Sequence, residues 1–144
     1  MIRESTFEPA WWLRGPHRQT IWPVFFRRRP RLPTRHERLE LEDGDFLDIV
    51  WVGNNNGPLV LLLHGLEGSI ESHYSAGMLK VLNDMGLRPV FMHFRGCSGE
   101  PNRLPRSYHS GETGDLGVVL GHLEKSTGAS VSAAIGSSLG GNVL

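Results

Sequence analysis

At 144 residues, with fifteen basic against fifteen acidic side chains, 39% hydrophobic and 21% charged residues, the chain has an ordinary globular composition and no net charge that would draw nucleic acid. Cys97 is the single cysteine, which excludes an intrachain disulfide framework, and neither a zinc-type Cys pair nor a His-Glu-x-x-His run occurs, so no metal is expected. The start lacks the apolar core of a secretory signal and no apolar run approaches the ~18 residues needed to span a bilayer, so the expected location is cytoplasmic.

Charge is nevertheless unevenly placed. Residues 1–38 hold nine arginines against three glutamates, whereas residues 39–144 hold six basic and twelve acidic side chains. The first segment reads as an Arg/Trp/Pro-rich arm, with Trp11, Trp12, Trp22, Phe25 and Phe26 ahead of Arg27-Arg28-Arg29. Prolines at 9, 16, 23, 30 and 33 forbid one long helix, so an irregular arm with short helical turns is predicted, its aromatics covering the core. The alternative use of those side chains is peripheral contact with a membrane, where Trp and Arg sit at headgroup level.

From residue 38 the pattern becomes regular. Arg38-Leu39-Glu40-Leu41-Glu42 alternates, Asp43-Gly44 suits a tight turn, and Phe46 to Trp51 resumes an extended pattern, which predicts an opening antiparallel hairpin. Leu59-Val60-Leu61-Leu62-Leu63 is a continuous apolar run of the length of a strand buried on both faces. A helix is predicted over 72–85, where Tyr74, Met78, Val81, Leu82 and Met85 recur at helical spacing, followed by a strand over 88–94. A second helix over 113–125 carries Leu116, Val119, Leu120 and Leu123 on one stripe, although Gly114, Gly117 and Gly121 each cost about 1 kcal/mol against alanine. Val131 to Ile135 reads as a short buried strand. The alternation of strands and helices from residue 59 predicts a mostly parallel α/β sheet with right-handed crossovers and helices on both faces.

Directly after the last strand stands Gly136-Ser137-Ser138-Leu139-Gly140, a G-x-S-x-G match between a strand and an expected helix. In such a turn the serine is held in a strained conformation, and glycines at 136 and 140 relieve the crowding on either side. Ser138 is the candidate nucleophile. A second element stands at His64-Gly65-Leu66-Glu67-Gly68, after the buried strand, where a loop can donate an oxyanion-hole N–H; the assigned donors are the backbone N–H groups of Leu66 and Leu139. His64, Gly65, Gly136 and Gly140 support the motif, with His64 shaping the loop rather than acting as base. The competing reading, a dinucleotide loop, lacks the middle glycine that lets the backbone approach a pyrophosphate. His73, His93, His109 and His122, with Glu112 and Asp115, carry no partner pattern and read as structural, and Cys97 as an inert thiol.

The chain resembles the YheT-like branch of the α/β hydrolases, related to the plant Emb8 and animal ABHD lipase-like proteins. The resemblance is carried by His17-Arg18-Gln19-Thr20, Leu41 to Phe46, His64 to Ser69, Phe94 to Asn102, Tyr108 to Thr113 and Ser138 to Asn142; Gly114, Gly117 and Gly121 depart from it. It implies a cofactor-free serine esterase acting on a carboxylic ester, a short- to medium-chain acyl ester or a monoacylglycerol-like lipid, through an acyl-enzyme on Ser138. It also implies a triad Asp and His lying beyond Ser138 in the chain. On that basis residues 39–144 are expected to be the N-terminal half of a hydrolase domain in a chain about twice as long. The fragment is expected to be inactive alone; the alternative is a noncatalytic or membrane-associated binding protein of the same fold, of unspecified oligomeric state.

Overall fold

The computed structural model describes residues 5–26 and 28–144. It contains α1 (Pro16–Phe26), β1 (Thr34–Glu40), β2 (Phe46–Val52), β3 (Leu59–Leu63), α2 (Ser75–Asp84), β4 (Arg88–Met92), α3 (Gly114–Thr127), β5 (Ala133–Gly136) and α4 (Leu139–Val143). Five strands form one sheet in the order β1-β2-β4-β3-β5. The β1–β2 hairpin is antiparallel, with Thr34 opposite Val52 and Glu40 opposite Phe46, and its turn places Gly44 at φ 85°, which glycine adopts without Cβ strain. β2 joins β4 antiparallel, while β3 lies parallel to both β4 and β5.

The apolar runs are continuous because both faces of the sheet are covered. Leu47, Ile49 and Trp51, with Leu59, Leu61 and Leu63, face Leu116, Val119 and Leu123 of α3 and Val143 of α4. The alternate residues Val50, Val52, Val60, Leu62 and Phe91 face Leu79 and Leu82 of α2. Each fully buried leucine of this kind contributes about 1.5–3 kcal/mol relative to exposure. The chain moves from β3 to β4 on one side, then crosses back past β3 to β5. Crossovers of one hand running in opposite directions put α2 and α3 on opposite faces and make the C-terminal ends of β3 and β5 a topological switch point.

Three expectations change. The arm is not irregular throughout: residues 16–26 are helical, with Pro16 at the first position, where its missing N–H costs nothing, and with Pro23 inside. Its aromatics do not cover the core. Trp11 is 80% exposed and Phe25 75%, and Trp22 instead meets Trp12 edge to face and stacks on Phe26. The strand of 131–135 forms one or two residues later, at Ala133–Gly136, where it pairs with β3 and, among the described residues, is exposed or half-buried rather than buried. The predicted helices form as α2 and α3 with ends shifted by up to three residues. α3 tolerates Gly117 and Gly121 because a Cβ at either would meet open space.

Candidate active site

β3 and β5 are neighbours in parallel register, with Leu63 opposite Gly136, so the loops leaving their C-terminal ends must adjoin. The Ser137 N–H donates to the Leu63 carbonyl at 3.0 Å, extending the ladder one step beyond the strand. The chain then turns sharply: Ser138 has φ 51° and ψ −114° and immediately precedes α4. A non-glycine residue at positive φ is held there only by its surroundings and marks a strained, functionally suspect position. The glycines explain how the turn closes. A Cβ on Gly136 would run into the backbone of Gly140 and Gly141, and one on Gly140 would lie 2.6 Å from the His64 carbonyl oxygen and 2.7 Å from that of Leu63. Ser138 itself is exposed.

The loop after β3 lies against this turn, since a Cβ on Gly65 would fall 3.3 Å from the Ser138 Cβ. Its shape is fixed from within by His64, which is fully buried. The Phe94 N–H donates to His64 Nε2 at 3.0 Å, so the proton of the neutral ring sits on Nδ1, which donates to the Gly65 carbonyl at 2.6 Å. Burial pushes the His64 pKa down and the Gly65 carbonyl opposes it only in part, so the ring stays neutral. With both nitrogens engaged, His64 shapes the loop and has no free nitrogen to take a proton from serine.

The loop turns at Glu67, at φ 53°, and closes with the Gly68 N–H donating to the Gly65 carbonyl at 3.0 Å. The neighbouring amides are all engaged: Gly65 N–H donates to Tyr74 Oη at 3.1 Å, Glu67 N–H to Tyr108 Oη at 2.8 Å, and those of Ser69, Ile70 and Glu71 to Ser72 Oγ, His93 Nε2 and Ser69 Oγ. Among the described residues, the Leu66 N–H has no acceptor. The same holds for the Leu139 N–H, at the start of α4, where the first amides of a helix have no intrahelical partner. Both N–H groups singled out in the sequence are thus free beside the serine. Leu66 and Leu139 contribute their backbone; the Leu66 side chain is 69% exposed.

The remaining candidates separate from this centre. His93 is buried and its pKa is pushed down to about 4, by burial first and by nearby His64 second. His122 Nε2 lies 2.7 Å from Glu37, tying α3 to β1. Cys97 is half-buried and burial raises its thiol pKa, which leaves it protonated and unreactive. Glu112 and Asp115 belong to a polar cluster that the sequence does not announce. Buried Arg95 forms a bidentate pair with Asp115, at 2.7 and 2.8 Å, and reaches Asp45 at 2.9 Å and Asp43 at 3.0 Å. Arg106 pairs with Glu112 at 2.9 Å beside it. This cluster ties the hairpin turn, the segment after β4 and the start of α3 into one unit. Tyr74, Tyr108 and Arg95 are the residues that sequence reasoning missed. Their partners lie 9 to 52 positions away, and the only signal was their place inside or beside the quoted motifs.

The sheet order, the crossovers and the turn after β5 define the N-terminal part of an α/β-hydrolase fold, and solved structures agree. An esterase of Pyrococcus furiosus superposes with a TM-score of 0.65 at 21% identity, over 78% of this chain and 44% of its own. A cold-adapted esterase from an Arctic intertidal metagenomic library gives 0.62 at 19% identity, over 81% and 55%. In sequence the chain is 47% identical over 132 residues to YheT of Escherichia coli strain K12, a candidate esterase by name, covering 89% of this chain and 39% of that protein. It is 30% identical to the mouse phospholipase ABHD3, over 97% of this chain and 36% of ABHD3. It is 33% identical to the embryogenesis-associated protein EMB8 of Picea glauca, over 89% and 31%. No protein-family profile matches. The chain belongs to the YheT, EMB8 and ABHD3 branch of the α/β hydrolases, and it spans 31 to 39% of the length of those relatives, less than the half expected.

Proposed function

We propose that the protein containing this chain hydrolyses carboxylic esters through an acyl-enzyme on Ser138. The observation that carries the reading is an exposed serine at positive φ, beside two N–H groups that have no acceptor among the described residues. Such an arrangement supplies both a nucleophile and donors for the tetrahedral oxyanion, each donor stabilising the transition state by about 3–4 kcal/mol in a comparable serine enzyme. Ser138 Oγ attacks the ester carbonyl, the Leu66 and Leu139 N–H groups hold the developing oxyanion, the alcohol leaves, and water then releases the acid.

The general base and the carboxylate that orients it come, on this reading, from the part of the protein that follows Ser138, as the fold's order of Ser, Asp or Glu, then His requires. In support, His64 has both nitrogens occupied, and His122 is paired with Glu37. The relatives' printed names, a candidate esterase and a phospholipase, favour an ester substrate, with a lipid ester among the options. The test is labelling of the intact protein with a fluorophosphonate probe beside its Ser138→Ala variant. Labelling confined to the native serine supports the reading; a folded intact protein that does not label refutes it.

A second reading, peripheral membrane binding, is favoured by one observation. Trp11, Phe25 and Phe26 are exposed on an arm that carries nine arginines against three glutamates over residues 1–38. Sedimentation with anionic vesicles, lost on replacing Trp11 and Phe25 by serine, would support it, and equal sedimentation of the variant would end it.

A further inference from the structure

We infer that Tyr74 and Tyr108 are positioning residues for the oxyanion hole: their hydroxyls hold the amides on either side of Leu66, so that of these three loop amides only the Leu66 N–H is left to meet the oxyanion beside that of Leu139. This rests on the esterase reading of Ser138 given above.

The argument begins with the loop's own conformation. Three successive amides, those of Gly65, Leu66 and Glu67, stand at the mouth of β3 beside the elbow. Any of them could turn toward a negative charge on the substrate, and a peptide rotation at Glu67, which holds φ 53° against its intrinsic preference, would change which one does. The outer two are fixed by hydroxyl groups from different parts of the chain. Tyr74, just before α2, accepts from Gly65 N–H at 3.1 Å, and Tyr108, in the segment before α3, accepts from Glu67 N–H at 2.8 Å. The middle one is left with no acceptor among the described residues.

Tyr108 is itself anchored. The Tyr108 ring stacks on Phe94 at 5.0 Å with an interplanar angle of 11°, and its hydroxyl lies 3.4 Å from Glu67 Oε1, so it can accept from the Glu67 amide while donating to the Glu67 carboxylate. Burial raises the pKa of that hydroxyl to about 12, so the donating proton is retained across the working range of an esterase. Phe94 in turn donates its N–H to His64 Nε2, and His64 Nδ1–H holds the Gly65 carbonyl. The two tyrosines and the histidine therefore fix three polar groups flanking the Leu66 N–H: the Gly65 N–H, the Gly65 carbonyl and the Glu67 N–H. Gly65 lies close to the elbow, since a Cβ there would fall 3.3 Å from both Ser137 O and Ser138 Cβ.

Preorganised donors help the transition state more than the ground state, because the oxyanion exists only in the former. Loosening the loop should therefore lower kcat and leave KM nearly unchanged, whereas a general loss of structure would lower the fraction of active protein and the melting temperature. The experiment compares Tyr74→Phe and Tyr108→Phe with the native intact protein, since phenylalanine keeps the ring and removes only the acceptor. Hydrolysis of a p-nitrophenyl ester, inhibition by an alkyl boronic acid as a tetrahedral analogue, and thermal melting are measured on each. The expected result is a roughly 10- to 100-fold fall in kcat, KM within about two-fold, and boronate affinity weakened in proportion to kcat. Melting curves that superpose on the native curve complete the expectation. If both variants keep native kcat and native boronate affinity, the inference is wrong although the serine reading stands. If the native protein itself neither turns over ester nor binds boronate, the reading beneath it has failed. A fall in activity matched by lost melting amplitude, with boronate affinity of the folded fraction unchanged, assigns the hydroxyls to stability alone and also overturns it.

Discussion

Replacing Gly140 by alanine tests the contact that holds the elbow against the oxyanion loop. The new Cβ would lie 2.6 Å from the His64 carbonyl oxygen and 2.7 Å from that of Leu63. An ordinary carbon–oxygen contact is about 3.3 Å, so the two sides must separate by on the order of 0.7 Å. Neither carbonyl is free to yield. Leu63 accepts the Ser137 N–H at 3.0 Å, and His64 is pinned through both ring nitrogens. The start of α4 must therefore move away from β3, carrying the Leu139 N–H away from that of Leu66. A misplacement near 1 Å costs about 100-fold in rate, and overpacking costs about 1–3 kcal/mol in stability. We expect the fluorophosphonate labelling rate of the intact protein to fall roughly 30- to 100-fold, with the urea midpoint lowered but the transition still cooperative. A folded Gly140→Ala variant that labels at the native rate would show that this contact does not set the geometry of the site.

Arg95→Met leaves the buried carboxylates of Asp45 and Asp115 without their cation, and should lower the unfolding free energy by about 3–5 kcal/mol by urea denaturation. A loss below about 1 kcal/mol would mean that water replaces the guanidinium. Acid should destabilise the fold in a defined window. His93 has its pKa depressed from 6.5 to about 4, by burial first, so above 6.5 neither state is protonated. Between 6.5 and about 4 the unfolded chain binds the extra proton, and stability falls with falling pH until the folded value is passed. His93→Gln should flatten that slope in denaturation curves taken across the window. Asp45 adds a lower-lying loss: burial raises its pKa, but hydrogen bonds from Arg103 N–H, Asn102, Phe46 N–H and Arg95 prevail and hold it below the ordinary carboxylate range. Its contribution is complete above that range and disappears as pH falls through the depressed value. Gly117→Ala, on an exposed turn of α3 where the Cβ meets open space, should raise stability by about 0.5–1 kcal/mol; a decrease would place an unseen neighbour against that face.

Much of this architecture is written locally. The run Leu59 to Leu63 has to be a strand covered on both faces, because every residue in it is apolar, and all five are buried. Asp43-Gly44 between two alternating segments specifies the hairpin, and G-x-S-x-G after a strand specifies the turn that puts Ser138 at φ 51°. In each case the signal lies within a few residues of the feature it produces, in glycines that permit a positive φ or a close backbone approach, or in the period of the apolar side chains. What the sequence could not decide depends on groups far apart in the chain. The arm's aromatics were expected to cover the core, whereas Trp11 and Phe25 stand exposed, because composition reports that apolar side chains need a cover and not which surface supplies it. The tautomer of His64, the tyrosine hydroxyls flanking Leu66 and the carboxylates around Arg95 are fixed by contacts spanning up to 52 residues. Sequence alone determined that a serine would stand on a strained turn beside a glycine-rich loop; the tertiary structure decided which amides of that loop are free, because a hydrogen bond is settled by what lies within 3 Å in space rather than by what lies nearby along the chain.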